Sequence, residues 1–199
     1  MAKTKDQRKG IFCLEGHWES VKDKTTVEPV LRLLETLSGY NASYRRYDVA
    51  TREEFNFYLK KWCGASFNNY PILYLGFHGD KGEIFVGEGR ASALSLEDLA
   101  ERLAGRCKGR VVHFGSCGTV DVHGRKLTKF LNLTGALAVC GYTKEVDWLE
   151  SAAFDVLVLG GLQNASFRQA SSMRKFDAQL RTTASGLYKH LGFRMACLD

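Results

Sequence analysis

Two glycine-flanked stretches of the sequence each end an apolar run in a side chain that can do chemistry. Residues 74–80 present His78, and residues 111–118 present Cys117. A short apolar run bounded by glycine is typical of a strand buried on both faces of a parallel sheet. In open parallel sheets the functional crevice lies outside the carboxyl ends of the strands. If the two strands are neighbours, His78 and Cys117 form a base and nucleophile pair.

The glycines beside these residues fit the same chemistry. A tetrahedral intermediate requires hydrogen-bond donors for its oxyanion. Gly79 directly follows His78, and a glycine there lets the backbone approach a substrate closely with its N–H directed into the site. The backbone N–H of Cys117 can supply a second donor. We therefore predict an oxyanion hole formed by Gly79 and Cys117.

Strands and helices alternate along the rest of the chain. Strand patterns cover residues 10–16, 42–49, 70–77, 110–115, 136–142 and 193–198, with a small strand or hairpin at 82–89. Helix patterns cover 26–37, 51–64, 123–133, 148–162 and 171–191, and another helix begins at Ser95. This order predicts an α/β fold with a central, mostly parallel sheet and helices on both faces. We see no domain boundary, and we expect one domain over residues 1–199 with residues 1–9 flexible.

Three of these elements carry more specific expectations. The strand at 42–49 alternates and is expected to be less buried, near an edge of the sheet. The helix at 148–162 is apolar nearly all round and is expected to be buried. The pattern at 171–191 predicts a single long amphipathic helix. Thr51 with Glu54, and Ser95 with Asp98, have the spacing of capping boxes at helix starts.

The composition is that of a globular protein. The 199 residues are 45% hydrophobic and 25% charged, an ordinary globular balance. No apolar run approaches the length of a membrane span, and residues 11–14 are too short for a signal-peptide core. We therefore expect a cytoplasmic protein without a membrane partner. The six cysteines form no CxxC pair, so reduced thiols are favoured over disulfides.

The net charge of +6 comes from scattered positive residues. They cluster at the N-terminus and at residues 45–46, 60–61 and 106–110. Such a surface has some affinity for acidic partners. No groove-reading motif or basic-aromatic stripe is present, so a solvated basic surface is favoured and nucleic acid is not expected as a partner.

The chain resembles the caspase-like cysteine peptidases of clan CD, in particular the compact bacterial CHAT-type members. The resemblance covers nearly the whole chain and rests on three features: the strand ending in His78-Gly79, the strand ending in Ser116-Cys117-Gly118, and the segment from Gly135 into the apolar helix. It implies a three-layer sandwich with about six strands, and cysteine endopeptidase activity with His78 as base and Cys117 as nucleophile. The caspase signature Q-A-C-[RQG]-G is not matched, which argues against aspartate specificity.

The resemblance also implies a substrate preference. In that family the pocket for the residue before the scissile bond lies between the ends of the first, fourth and fifth strands. Glu15 ends the first strand, Gly115 near Cys117 leaves room, and Glu145 and Asp147 follow the fifth strand. Acidic groups pair with a basic side chain, so cleavage of a protein or peptide after Arg or Lys is expected. The alternative, in which these acids are solvated loop residues, stays open.

The same stretches of sequence allow other roles for their residues. His113 lies inside a strand and is interpreted as structural. A zinc site from His78, His113, Cys117 and His123 matches no known spacing, and no metal or cofactor is expected. Asp80 is a candidate to orient His78. Trp148 is expected in the core rather than in the pocket.

Two other functions remain open beside an active peptidase. One is an inactive member that keeps the fold as a binding or signalling module, against which the intact His78 and Cys117 count. The other is a flavodoxin-like ligand binder, although no P-loop or G-x-G-x-x-G follows an early strand. If the peptidase needs activation, it is expected from a partner, an effector or self-association. The resemblance alone suggests an effector in a bacterial defence or cell-death system.

Overall fold

The computed structural model describes residues 9–18, 22 and 24–198 of the chain. Apart from Lys9, the expected flexible segment 1–9 lies outside the described residues. The strands, in chain order, are β1 Ile11–Glu15, β2 Tyr44–Asp48, β3 Ile72–Gly76, β4 His78–Asp80, β5 Glu83–Phe85, β6 Ala93–Ser95, β7 Val111–Phe114, β8 Ala138–Tyr142 and β9 Phe193–Cys197. The helices are α1 Glu28–Thr36, α2 Arg52–Trp62, α3 Leu96–Arg102, α4 Gly124–Thr134, α5 Trp148–Leu162, α6 Ala170–Thr183 and α7 Ser185–His190.

A six-stranded sheet forms the centre of the molecule, in the order β2-β1-β3-β7-β8-β9. Every neighbouring pair is parallel except β8 with β9, which is antiparallel. A second, antiparallel sheet contains β4, β5 and β6 and follows directly after β3. The predicted α/β class with a mostly parallel six-stranded sheet is confirmed, and β2 lies at the edge, as its half-exposed residues indicated.

Helices cover both faces of the sheet, so the architecture has three layers. The apolar side chains of α1, α5, α6 and α7 pack on one face, and those of α2, α3 and α4 pack on the other. The strands β1, β3, β7 and β8 are buried throughout, which explains their largely apolar sequences. Both predicted capping boxes are formed, at Thr51 with Glu54 and at Ser95 with Asp98.

Two helix predictions were wrong. The segment 171–191 is two helices, because Ala184 leaves helical geometry with φ −129° and ψ 37°. Just before the break, the hydroxyls of Thr182 and Thr183 donate to backbone carbonyls of the preceding turn, a pattern that bends helices. Helix α5 is also not buried all round: Leu149 is 75% exposed and Leu157 is 44% exposed.

The structure also bears on membrane crossing by the helices and on the thiols. Among the described helices, none combines the length and the apolar character that a membrane crossing requires. All six cysteines are free.

Candidate active site

His78 and Cys117 follow neighbouring strands at the same edge of the sheet. Strands β3 and β7 pair in parallel, with Leu75 opposite Phe114. After β3 the chain continues through the buried Phe77 to an exposed His78, and after β7 it reaches a half-buried Cys117. Both residues line one cleft of about 880 Å³ between the amino-terminal ends of α1 and α5. The structure therefore brings together the two residues that the sequence singled out.

Hydrogen bonds tie the segment after β7 to β3. The N–H of Gly115 donates to the carbonyl of Leu75 at 2.9 Å, and the hydroxyl of Ser116 donates to the same carbonyl at 3.3 Å. Gly118 has a φ of +60°, and its N–H donates to the carbonyl of Lys144 at 3.0 Å. These contacts fix the backbone on both sides of Cys117.

Gly79 lets the two segments approach each other closely. A Cβ on Gly79 would lie 2.3 Å from Oγ1 of Thr119 and 2.8 Å from the carbonyl oxygen of Cys117. No side chain fits there without displacing the backbone that carries the thiol. The glycine is therefore required by the contact between the segment of His78 and that of Cys117.

The carbonyl of Trp18 fixes the tautomer of His78. Nε2 of His78 is in hydrogen-bond contact with this carbonyl oxygen. A carbonyl oxygen only accepts, so Nε2 carries the proton and the lone pair lies on Nδ1. The Trp18 and His78 rings also pack edge to face, with centroids 5.5 Å apart. Nδ1 is therefore the atom available as a base, and a backbone carbonyl, rather than Asp80, is the group in contact with the imidazole.

Cys117 differs from the other cysteines in its surroundings. The N–H of Val146 donates to its sulfur at 3.4 Å. Burial raises the pKa of Cys63, Cys107 and Cys197, to about 12 for Cys107 and about 11 for Cys197. The pKa values of two further thiols, Cys13 and Cys140, are raised well above the usual range, again chiefly because burial disfavours the thiolate.

The backbone N–H groups of Cys117 and Gly79 are the candidate oxyanion donors. Within the described residues, the N–H of Cys117 donates to no protein acceptor. Gly79 lies opposite Ile84 in the antiparallel pair β4–β5. The N–H of Val86 donates to the carbonyl of Ser92, the residue before β6, at 3.1 Å, so Ile84 directs its backbone groups toward β6 rather than β4. Hydrogen-bonded and non-hydrogen-bonded pairs alternate in such ladders, so the N–H of Gly79 is directed away from β5.

The structure does not bring Glu15 into the cleft. Its carboxylate is 1% exposed and accepts hydrogen bonds from the indole N–H of Trp18 at 2.8 Å and from the N–H of Val27 at 2.7 Å. Thr26 donates to it at 2.8 Å, and Arg46 forms an ion pair with it. Glu15 therefore holds the loop whose carbonyl contacts His78, a positioning role that the sequence reading missed.

Of the other predicted pocket residues, Glu145 and Gly115 line the cleft and Asp147 does not. Glu145 is exposed and lines the cleft. Gly115 also lines it, and a Cβ there would lie 2.5 Å from the hydroxyl of Tyr74. Asp147 is the N-cap of α5 and accepts from the backbone N–H groups of Leu149 and Glu150 at 2.9 and 3.0 Å. Asp147 is therefore engaged with its own helix.

A buried carboxylate that the sequence reading missed lies in the wall of the cleft. Asp155, 2% exposed, accepts from the hydroxyl of Tyr74 at 2.6 Å on Oδ2. Its Oδ1 contacts Nε2 of His113 at 2.8 Å and the hydroxyl of Tyr142 at 2.5 Å. The one signal in the sequence is an aspartate in the middle of an otherwise apolar helix.

The two tyrosines whose hydroxyls donate to Asp155 stay protonated. Burial, followed by the nearby negative charge of Asp155, raises the pKa of Tyr74 and of Tyr142 well above the usual range for a phenol. Both therefore act as donors at neutral pH. His113 is fully buried within this cluster, and its Nδ1 lies 3.3 Å from the sulfur of Cys140, as expected of a structural histidine.

Trp148 contradicts its predicted place in the core. It is 38% exposed, lines the cleft and packs edge to face on Trp18 with ring centroids 4.7 Å apart. The prediction failed because Trp148 occupies the first turn of α5, where the helix projects beyond the sheet edge. Among the described residues, no group of three or more His, Cys, Asp or Glu side chains is placed to hold a metal ion.

Comparison with known proteins assigns a family and gives no activity. A family model with the description "Family of unknown function (DUF6642)" matches residues 8–196. No curated protein gives a significant match to the sequence.

Proposed function

Since the chain belongs to DUF6642, a family of unknown function, we propose its activity from the cleft itself: a cysteine endopeptidase that uses a His78/Cys117 dyad. The observation that carries the proposal is the placement of both residues on one cleft, after adjacent parallel strands. The Trp18 carbonyl supports it, because it leaves Nδ1 of His78 free to accept a proton. The site has the nucleophile, the base and the group that orients the base.

The reaction follows from these groups. Nδ1 of His78 takes the proton from the thiol of Cys117, and the thiolate attacks the carbonyl carbon of the scissile peptide bond. The N–H groups of Cys117 and Gly79 stabilise the oxyanion that forms. The imidazolium then gives its proton to the leaving amine as the C–N bond breaks. Water, deprotonated by His78, hydrolyses the thioester and releases the acid product together with the free thiol.

We propose cleavage after a basic residue, with Asp155 and Glu145 as the acidic groups that favour it. Glu145 stands exposed on the rim of the cleft. Oδ2 of Asp155 accepts one hydrogen bond, from Tyr74, and Asp155 lines the cleft. Glu15 does not contribute, since Arg46 neutralises it. A guanidinium or ammonium group entering the cleft would gain a charge-assisted hydrogen bond.

A phosphate or nucleotide ligand fits the first strand-to-helix turn poorly. In flavodoxin-like binders an anion occupies the start of the helix after the first strand. Here the N–H of Val27 is already bound by the carboxylate of Glu15. That backbone donor is therefore not available to a phosphate, so the peptidase is favoured over the ligand binder. The free cysteines and the thiol nucleophile also suit a reducing compartment, and we place the protein in the cytoplasm.

Hydrolysis of fluorogenic peptides tests the proposal. The substrates are matched peptides with Arg, Lys, Leu or Asp before the cleaved bond. We expect turnover of the Arg and Lys peptides, lost in Cys117→Ala and in His78→Ala but retained in the control variant Cys63→Ala. If Cys117→Ala cleaves as fast as the unaltered protein, the dyad is excluded. If no peptide is cleaved but a partner protein binds the cleft, the inactive binding module is the correct function.

A further inference from the structure

The fold gathers basic residues that are scattered in the sequence. Helices α2 and α3 start at the edge of the sheet that bears the cleft, and they run back to the opposite edge. The last turn of α2 and the loops at that opposite edge carry five exposed cations, which we call the basic edge: Lys60, Lys61, Arg106, Lys108 and Arg168. Arg45, exposed on the edge strand β2, adjoins it.

Contacts between the loops make the basic edge one surface. Arg110 donates to the carbonyl of Trp62 at 2.5 Å and to Oδ1 of Asn68 at 3.1 Å, joining the loops before β7 and β3. A Cβ on Gly109 would lie 3.6 Å from the carbonyl oxygen of Phe167, so the loop of Lys108 touches the loop of Arg168. The cations are therefore held on a fixed scaffold.

The charge of the basic edge is not compensated. None of its five cations forms an ion pair within the described part of the chain. Residues 55–79, 102–120 and 156–176 contain no Asp or Glu. By contrast, Arg46, Arg90 and Lys126 elsewhere on the surface each pair with a carboxylate.

Aromatic rings accompany the cations. Nζ of Lys61 lies 5.2 Å from the ring centroid of Phe57, which is 56% exposed. The Arg45 guanidinium lies 5.6 Å from the ring of Tyr70. Cations interleaved with accessible rings are the features with which proteins bind phosphates and stack bases. The loop before β3 carries polar residues beside the cations, Ser66, Asn68 and Asn69, which suit hydrogen bonds to nucleic acid rather than insertion into a membrane.

We propose that the basic edge binds the phosphate backbone of single-stranded nucleic acid. The cations supply the electrostatic attraction, and Phe57 and Tyr70 offer stacking faces. This surface lies at the end of the sheet away from the cleft, so nucleic acid and a cleft ligand can be bound together. The proposal does not depend on peptidase activity, and it reverses the expectation from sequence, where the same cations looked dispersed.

Fluorescence anisotropy with a labelled single-stranded oligonucleotide of about 30 nucleotides tests the proposal across a salt series starting at about 50 mM NaCl. With about five phosphates neutralised, the logarithm of the affinity should fall against log salt with a slope of about −3 to −4. The variant Lys108→Glu/Arg168→Glu should bind at least about tenfold more weakly. The pair Lys60→Glu/Lys61→Glu provides a second, independent variant.

The control variant is Arg125→Glu/Lys189→Glu, which alters two exposed cations outside the basic edge. Each double variant lowers the formal net charge from +6 by 4, to +2. Thermal unfolding of all variants checks that the fold is retained. The proposal is overturned by the absence of saturable binding at the lowest salt, by equal weakening in the control variant, or by binding of phosphatidylserine vesicles without binding of the oligonucleotide.

Discussion

The carbonyl oxygen of Trp18 accepts the Nε2–H of His78, while the indole N–H of the same tryptophan donates to Glu15 at 2.8 Å. One residue of the loop after β1 thus links a buried carboxylate to the imidazole of the cleft. The carboxylate is fixed in turn by its ion pair with Arg46 on the edge strand β2. The orientation of His78 therefore depends on contacts that begin outside the cleft.

This relationship predicts that Glu15→Gln reduces turnover without touching the reacting groups. The neutral side chain of glutamine cannot form the ion pair with Arg46. Only its oxygen can accept hydrogen bonds, whereas both oxygens of the carboxylate accept them. We expect a loss of about 1–3 kcal/mol in the free energy of unfolding and a fall of about 10- to 100-fold in kcat/KM as His78 loses its position. Urea unfolding and peptide hydrolysis measure the two effects.

The matched control for this prediction is Glu150→Gln, which removes an exposed carboxylate whose partner is His190. It should change neither quantity beyond experimental error, since exposed pairs contribute little. A positioning role for Glu15 would be contradicted if Glu15→Gln lost stability but kept the full kcat at a temperature where it is folded.

The preference for basic residues depends on Asp155 in the proposed site. Asp155→Asn removes the negative charge, and we expect the ratio of kcat/KM for an Arg peptide to that for a Leu peptide to fall about tenfold or more. The ratio cancels any general loss of folded protein. Glu145→Gln, at the exposed rim, should change the ratio only about two- to fivefold. An unchanged ratio in Asp155→Asn would assign the preference to other residues.

Much of the fold could be predicted because its signals are local. The apolar runs before His78 and Cys117 indicated buried strands, and the capping boxes at Thr51 and Ser95 marked helix starts within a few residues. These patterns depend on neighbours in the chain. The mostly parallel arrangement of the strands followed from the rule that alternating strands and helices build a parallel sheet.

The surroundings of the acidic residues could not be predicted in the same way. Glu15 is neutralised by Arg46, which lies 31 residues away in the chain. Asp155 acquires its role from Tyr74, 81 residues away, and from His113, 42 residues away. Whether a carboxylate faces a cleft or a buried cation is decided by such long-range contacts, which no local pattern encodes.

Gly79 offers a test of the close contact between the two catalytic segments. In Gly79→Ala the new Cβ would meet the carbonyl of Cys117 at 2.8 Å, and backbone cannot move aside as a flexible side chain can. We expect a loss of about 1–3 kcal/mol in stability from overpacking and a fall of about 100-fold or more in kcat as an oxyanion donor is displaced.

Gly186→Ala is the matched control for Gly79→Ala. No atom lies within 4 Å of a Cβ at Gly186, which is inside helix α7. Alanine there should raise stability by about 0.5–1 kcal/mol and leave kcat unchanged. Full activity in Gly79→Ala would show that the segments tolerate separation and that Gly79 is not part of the oxyanion hole.

Selective alkylation of Cys117 tests the dyad without any substrate. Burial raises the pKa of the other five thiols, so their thiolate fraction near neutral pH is small. Iodoacetamide near pH 7 should therefore modify Cys117 first, at least about tenfold faster than Cys63. The other thiols should react appreciably only as the pH rises toward their own pKa values. Peptide mapping by mass spectrometry follows each site separately.

The dependence on His78 distinguishes a dyad from a merely accessible thiol. His78→Ala should slow the labelling of Cys117 about tenfold or more near neutral pH, because the base that generates the thiolate is gone. His190→Ala, which removes an exposed histidine paired with Glu150, should leave the rate unchanged. A rate that is indifferent to His78 across the pH range would mean that Nδ1 does not reach the sulfur in the free protein, and the peptidase proposal would then fail for the protein without a partner.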